Sequence, residues 1–393
     1  MVKGSVQEKG GYWHTVISYT DKDGRRKQKW QATGLVSKGN KRKAQELLKE
    51  RIKESEITLE QETDCNPDIP FSEFMSGWLA MIKSTVLITT YGSYQYFIEK
   101  RINPYFDEKK LTLQTVKTRD IQEYYNSILS TGTKWNSVSK HHAVIRKALD
   151  YAVKMDYILV NPAHKIEMPK RQKYVAEHYN REELQELFEA VKGDLIETAV
   201  ILSSFYGLRR SEALGLRWSA IDFEQKTLCI KHTVCRTNVD DKDIIVCKDT
   251  TKNKASLRTL PLIPDVEKLL LEVKKKQVSN RRKCRGSYNK EYLDYVCVDD
   301  MGNLLKPDFL SQHLQVVLKK NNLKHIRYHD LRHSCASLLL ANGVSLKEIQ
   351  DWLGHSDFST TANIYSHLEY GAKVKSANKI AENLSLEEKT KDG

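Results

Sequence analysis

A chain of 393 residues is too long for one ordinary hydrophobic core, because cores stop growing near ~250 residues, so two or three domains are expected. Its formal charge of +13, with Lys and Arg spread along the whole length, suits a protein that lies on a polyanion and makes nucleic acid the leading partner, a merely basic soluble protein being the plain alternative. Seven cysteines with no CxxC pair or regular spacing read as free thiols of a reducing cytosol. No apolar run approaches the ~18 residues that would span a bilayer, which excludes a helical membrane protein.

Residues 10 to 36 read as a short antiparallel sheet. Tyr12, His14, Val16 and Ser18 alternate with Trp13, Thr15, Ile17 and Tyr19, and Asp23-Gly24 supplies a hairpin turn. Arg25, Arg26, Lys27 and Lys29 follow at once. A helix from about Lys41 to Ile57 then places Ala44, Leu47, Leu48, Arg51 and Ile52 at helical spacing. Residues 1 to 60 hold 14 Lys and Arg against 8 Asp and Glu, so this small module is strongly basic. The charged stretch Glu60 to Pro70, with Asn66-Pro67, reads as a linker.

Residues 71 to 160 are helical by pattern, with one stripe of Phe71, Phe74, Trp78, Leu79 and Ile82 and another of Val144, Ile145, Ala148, Leu149, Ala152 and Val153. Asn161-Pro162 is expected to end the last of these helices, since a residue before proline avoids the helical region. Pro169 to Lys173 reads as a second linker. Beyond it, Asn180 and Glu183 mark a helix start, and Leu195 to Tyr206 forms an apolar helix stopped by Gly207. Leu228, Ile230, His232 and Val234 alternate as one strand, Leu257 and Thr259 as another, with a turn over Asp249 to Lys254 between them. The remainder is helical. The expected fold is therefore multidomain and mainly α with small β elements: an N-terminal three-stranded sheet plus helix, a helical domain, and a mixed α+β C-terminal domain.

Phosphoryl transfer between a protein hydroxyl and DNA needs an attacking hydroxyl, cations for the charge that grows on the phosphorus oxygens, and an acid for the leaving oxygen. No Asp or Glu cluster of metal-binding type stands out, so arginines are the candidate cations. Arg209, in Gly207-Leu208-Arg209-Arg210-Ser211-Glu212, sits just past a helix stop at the start of the next helix, where it can fork to a phosphate beside a helix N-terminus; a surface arginine in a turn is the plain alternative. His329 and Arg332 share a helix face by their i, i+3 spacing, an arrangement that an interhelix salt bridge would also explain. Ser345 and Glu348 form a capping box, Leu346, Ile349 and Leu353 face a core, and Gly354 can close that helix in left-handed geometry. His355 follows at once. Ser359 can cap a further helix whose second turn carries Tyr365, ten residues after His355.

The motifs GLRRSEALGLRW, TKNKASLRTLPL, HDLRH and LGHSDFSTTANIY, in this order and spacing, resemble the tyrosine recombinase or phage-type integrase family, most of all the integrases of conjugative transposons. The resemblance implies that Arg209 and Arg332 stabilise a pentavalent transition state and that Tyr365 is the nucleophile. His329 would be a general base or hydrogen-bond partner, and His355 would donate to a phosphate oxygen. Lys252 would protonate the 5′ leaving oxygen, with Lys254 as the alternative because Thr251 stands where the family often has proline, and Glu212 would support the arginines. No cofactor and no metal are implied.

Residues 175–393 would then form the catalytic domain with a C-terminal exchange tail. Residues 70–165 would be the helical core-binding domain, and residues 1–58 an arm-type DNA-binding module using Arg25, Arg26, Lys27 and Lys29. The implied partners are double-stranded DNA at core and arm sites and three further copies of the chain, a homo-tetramer whose tails exchange in trans, with room for an accessory directionality protein and no membrane. The implied location is the cytoplasm, for a bacterial or phage-encoded protein. A type IB topoisomerase-like strand transferase and a non-catalytic DNA-binding regulator are the alternative readings; the separate basic module and two linkers favour recombination over the first, and the full set of matched positions over the second.

Overall fold

The computed structural model describes residues 3–20, 26–64, 69–168, 177–249 and 257–354. The N-terminal sheet has the order β1-β2-β3, with β1 (Lys3–Lys9), β2 (Tyr12–Thr20) and β3 (Arg26–Val36) all antiparallel. It starts seven residues earlier than the alternation suggests, because Gly10 and Gly11, both at positive φ (60° and 79°), make the tight turn into β2. β2 is the central strand and buries Thr15, Val16 and Ile17. Helix α1 (Lys41–Asp64) packs on it, Leu48 and Ile52 meeting Ile17 and Val6. Arg51 donates to Thr15 Oγ1 at 2.8 Å. The helix runs past Glu60, where a linker is expected: residues 41–64 contain neither glycine nor proline, and their Lys and Glu are good helix formers.

The helical region comprises α2 (Phe71–Ile82), α3 (Ile88–Phe97), α4 (Asn103–Lys109), α5 (Thr118–Ser130) and α6 (Trp135–Lys154). Its centre is aromatic, with Phe71, Trp78, Phe106, Tyr124 and Tyr125 fully buried. Asn161-Pro162 does not end the last helix. α6 stops at Lys154, with Asp156 at φ 59° turning the chain. Asn161 instead opens a single 3-10 turn: its side chain accepts from Ala163 N–H at 2.8 Å and donates to the Arg146 carbonyl and to Asp150. Its short polar side chain thus caps the 3-10 turn and ties it back to the last turns of α6.

By contacts the chain divides into two compact units, Met1–Leu87 with Tyr94–Arg171, and Ile88–Ser93 with Gln172–Gly393. In the second, α7 (Arg181–Val191) begins on the expected Asn180–Glu183 capping box. α8 (Glu197–Tyr206) is apolar nearly all round and is covered by α7, α9 (Arg210–Leu214), α10 (Pro264–Cys284) and α12 (Asp330–Ala341). Helices α11 (Pro307–Lys320) and α13 (Leu346–Leu353) complete the helical set among the described residues.

The strands form two small sheets. β4 (Ile221–Asp222), β5 (Thr227–Ile230) and β8 (Arg258–Pro261) make one, and β6 (His232–Val239) with β7 (Lys242–Asp249) makes a separate hairpin. The alternating run from Leu228 to Val234 is thus two strands, parted at Lys231. The hairpin turn is Asp240-Asp241, both at positive φ (53° and 57°), the geometry that matches strand twist in a two-residue turn. No helix among the described residues is long and apolar enough to cross a membrane.

Candidate active site

The site is assembled at helix ends. α8 closes on Gly207 in the left-handed conformation (φ 62°, ψ 31°) that favours glycine, and a Cβ there would lie 2.2 Å from Leu353 Cδ2, so a larger residue would also have to displace that side chain of α13. Leu208 is buried, and Arg209 becomes the N-cap of α9. Glu212, three residues on, accepts from the Arg209 backbone N–H at 3.1 Å and from its Nη1 at 2.5 Å. Arg209 Nη2 reaches the Gly354 carbonyl at 3.1 Å. One guanidinium therefore ties the start of α9 to the end of α13.

Glu212 is 2% exposed, and its second oxygen accepts from Nη2 of Arg258 at 3.0 Å. Burial pushes this carboxyl upward, but the cations of Arg258 and Arg209, the Arg258 hydrogen bond and the charge of Arg332 outweigh it and hold the group ionised. Arg332 is itself 1% exposed and donates through Nη1 to the Gly207 carbonyl at 2.7 Å. It arises from the first turn of α12. That turn is fastened by Asp330, whose carboxylate takes the Arg327 backbone N–H at 2.8 Å and its guanidinium at 2.7 and 3.1 Å.

His329 is the N-cap of α12. Burial first, then the Arg332 cation, hold its imidazole below the ordinary histidine range, with Asp330 opposing. His333 stands edge-on to it, ring centroids 5.3 Å apart, and is driven down to about 4 by burial and by His329. The neutral His329 ring can thus accept a proton or a hydrogen bond. α13 begins on the Ser345–Glu348 capping box, buries Ile349 and Leu353, and ends on Gly354 at φ 70°.

The structure brings together Arg209, Glu212, His329 and Arg332. Lys252, Lys254, His355 and Tyr365 lie outside the described residues, as does Arg25; Lys27 and Lys29 are exposed on β3, of which the Arg26 side chain is also outside them. Sequence reasoning missed Arg258. It stands between Leu257 and Thr259 in a strand and is buried beside Glu212, and a cation on the inward side of an alternating run is the signal that marks it. Three guanidiniums around one carboxylate, with neutral imidazole at hand, leave net positive charge on a fixed framework, the arrangement that stabilises charge on phosphorus oxygens.

The family match and the relatives below identify an enzyme of DNA strand exchange. The phage integrase family matches residues 178–371, and the phage integrase N-terminal SAM-like domain matches residues 70–129. The chain belongs to that family, the tyrosine recombinases. It is 27% identical over 317 residues to the tyrosine recombinase XerC-like protein of Caldanaerobacter subterraneus subsp. tengcongensis, covering 77% of this chain and 80% of that one. It is 26% identical over 316 residues to the ICEBs1 integrase of Bacillus subtilis, covering 79% and 83%. Among solved structures it resembles the Tn1549 transposon integrase in complex with transposon right end DNA, at a TM-score of 0.63 and 18% identity over 79% of this chain and 99% of that one.

Proposed function

We propose that the protein is a site-specific recombinase that excises and inserts a mobile element, a conjugative transposon or prophage, through a 3′-phosphotyrosyl intermediate. Tyr365 Oη attacks the scissile phosphorus and the bond to the 5′ oxygen breaks, leaving the strand on the enzyme. His329, held neutral, accepts the hydrogen bond or proton of the attacking hydroxyl. Arg209 and Arg332 hold the oxygens on which charge grows, and His355 donates to one of them. Lys252 gives its proton to the departing 5′ oxygen. The phosphotyrosyl bond keeps the energy of the diester it replaces, so rejoining to a new 5′ hydroxyl needs no nucleotide, and the guanidiniums do the work a metal would do elsewhere.

The observation that carries this reading is the double anchoring of Arg209, to buried Glu212 and to the carbonyl of Gly354, with Arg332 bonded to Gly207 two residues away. Such preorganised cations cost no rearrangement when the transition state forms. Residues 70–165 and 175–393 are proposed to close around core DNA and residues 1–58 to read arm sites. Four copies would assemble on two duplexes, their tails exchanged in trans, with an accessory protein free to bias excision against insertion.

Tyr365→Phe tests the nucleophile. On a nicked suicide oligonucleotide the wild type should form a protein–DNA adduct that survives a denaturing gel in the presence of EDTA. The variant should form none while binding the same DNA, and an adduct in the variant would move the nucleophile to another tyrosine such as Tyr370.

A further inference from the structure

Outside the cation cluster, a further buried polar network stands at the root of the β6–β7 hairpin. His232, the first residue of β6, is 5% exposed and stands in register with Asp249, the last residue of β7. Its Nδ1 lies 2.7 Å from Asp249 Oδ1. On the other side of the ring, Nε2 lies 3.0 Å from Arg217 Nη2 and 2.9 Å from the Tyr295 hydroxyl. Arg217 also donates to that hydroxyl at 3.0 Å, and its guanidinium lies 5.1 Å from the centre of the Tyr295 ring.

The hydrogen positions follow from this. A guanidinium has only hydrogens to offer, so Nε2 is the acceptor and the imidazole proton sits on Nδ1, donated to the Asp249 carboxylate. Burial holds the ring below the ordinary histidine range, against the pull of Asp249, and so keeps that tautomer neutral. The network has Arg217 and the Tyr295 hydroxyl on one side of the imidazole and the carboxylate on the other, and that hydroxyl is itself held by Arg217 on a residue only 6% exposed. Its output is a fixed Asp249, whose own side chain is 64% exposed and is held by His232.

Two connections give this fixed point a use. Lys252 is three residues beyond Asp249, and three residues of chain span at most about 11 Å whatever their path. On the opposite side, the helix begun by Arg209 ends at Gly215, where a Cβ would lie 2.5 Å from the His232 carbonyl oxygen and 2.6 Å from Thr233 Cα. The backbone of His232 therefore carries the end of α9, and its ring carries the end of β7.

We infer that His232 is a positioning residue for the leaving-group step of strand cleavage, locking Asp249 at the end of β7 and so restraining the chain that leads to the lysine three residues further on. The inference rests on the proposed reading of Lys252, with Lys254 as its alternative, as the acid for the 5′ oxygen. It makes Arg217 and Tyr295 part of the same device, because they set the tautomer.

The test uses the full-length chain and two suicide oligonucleotides, one ordinary and one with sulfur in place of the bridging 5′ oxygen, whose thiolate departs without a proton. His232→Ala should cleave the oxygen substrate roughly 10- to 100-fold more slowly, the scale of a misplacement of about 1 Å. It should cleave the sulfur substrate within about threefold of the wild-type rate. Asp249→Ala, at an exposed side chain, should behave alike without threatening the fold. His232→Asn, whose amide can stand in for Nδ1–H, should recover part of the loss. If Lys252→Ala or Lys254→Ala is rescued by sulfur while His232→Ala and Asp249→Ala lose equally on both substrates, His232 only packs and the inference falls alone. If neither lysine variant is rescued, the acid assignment is wrong and the inference falls with it.

Discussion

Glu212 shows why residue type at the site is so constrained. A carboxylate 2% exposed survives as an ion only because Arg258 and Arg209 both bond it, and removing one partner of a buried pair strands the other at a cost of about 3–5 kcal/mol. In the proposed mechanism it holds the guanidiniums of Arg209 and Arg258 in place. Lysine in place of either arginine keeps the charge and loses the planar fork. Arg209→Lys would surrender one of its two bonds, to Glu212 or to Gly354, and Arg332→Lys would put a point charge in a site 1% exposed. Each should slow single-turnover cleavage of the suicide oligonucleotide by about 100-fold or more, on the scale of ~3 kcal/mol for one transition-state donor. Gel-shift affinity should change only a few-fold. Equal loss of binding and cleavage would show that these arginines hold ground-state DNA and do nothing specific for the transition state.

At the scale of elements, the α5–α6 pair carries a feature unrelated to catalysis. Consecutive tyrosines on α5 meet consecutive histidines on α6, Tyr124 Oη to His141 Nδ1 at 2.8 Å and Tyr125 Oη to His142 Nδ1 at 3.1 Å. Burial pushes His141 down to about 4, helped by the Arg101 and Lys140 cations, and lowers His142 as well. A histidine whose folded pKa lies below its unfolded value of 6.5 favours the folded state fully above that value. The advantage disappears as pH falls from 6.5 toward 4, because the unfolded chain takes up the proton first. Calorimetry of the full chain at pH 7, 6 and 5 should show the melting of this helical region falling with pH, and His141→Gln should flatten that dependence. Parallel slopes in the two proteins would remove His141 as the cause.

On the scale of the whole molecule, the basic N-terminal module and the cation cluster make separable demands. The module holds 14 Lys and Arg in its first 60 residues, enough to neutralise several phosphates, each of which adds about 0.9 to the salt slope on duplex DNA. A chain lacking residues 1–60 should bind arm-containing DNA more weakly and with a shallower salt dependence, yet cleave a core-site oligonucleotide at a near-normal rate. Failure to cleave that oligonucleotide would make the module part of the catalytic clamp.

The sequence by itself determined the punctuation of this protein. The Asn180 and Ser345 capping boxes and the left-handed glycines 207 and 354 stand where spacing puts them, because caps and φ > 0 turns are local chemistry settled within about four residues. It also marked Arg209, Glu212, His329 and Arg332 as belonging together, through the motifs that carry the family resemblance. Tertiary structure alone decided what those residues touch. Arg258 meets Glu212 across 46 residues of chain, Arg209 meets Gly354 across 145, and His232 finds Arg217, Asp249 and Tyr295 from three directions. It decided the strands too: one alternating run became β5 and β6 in different sheets, since period-two patterning reports which face is buried and says nothing of which neighbour buries it.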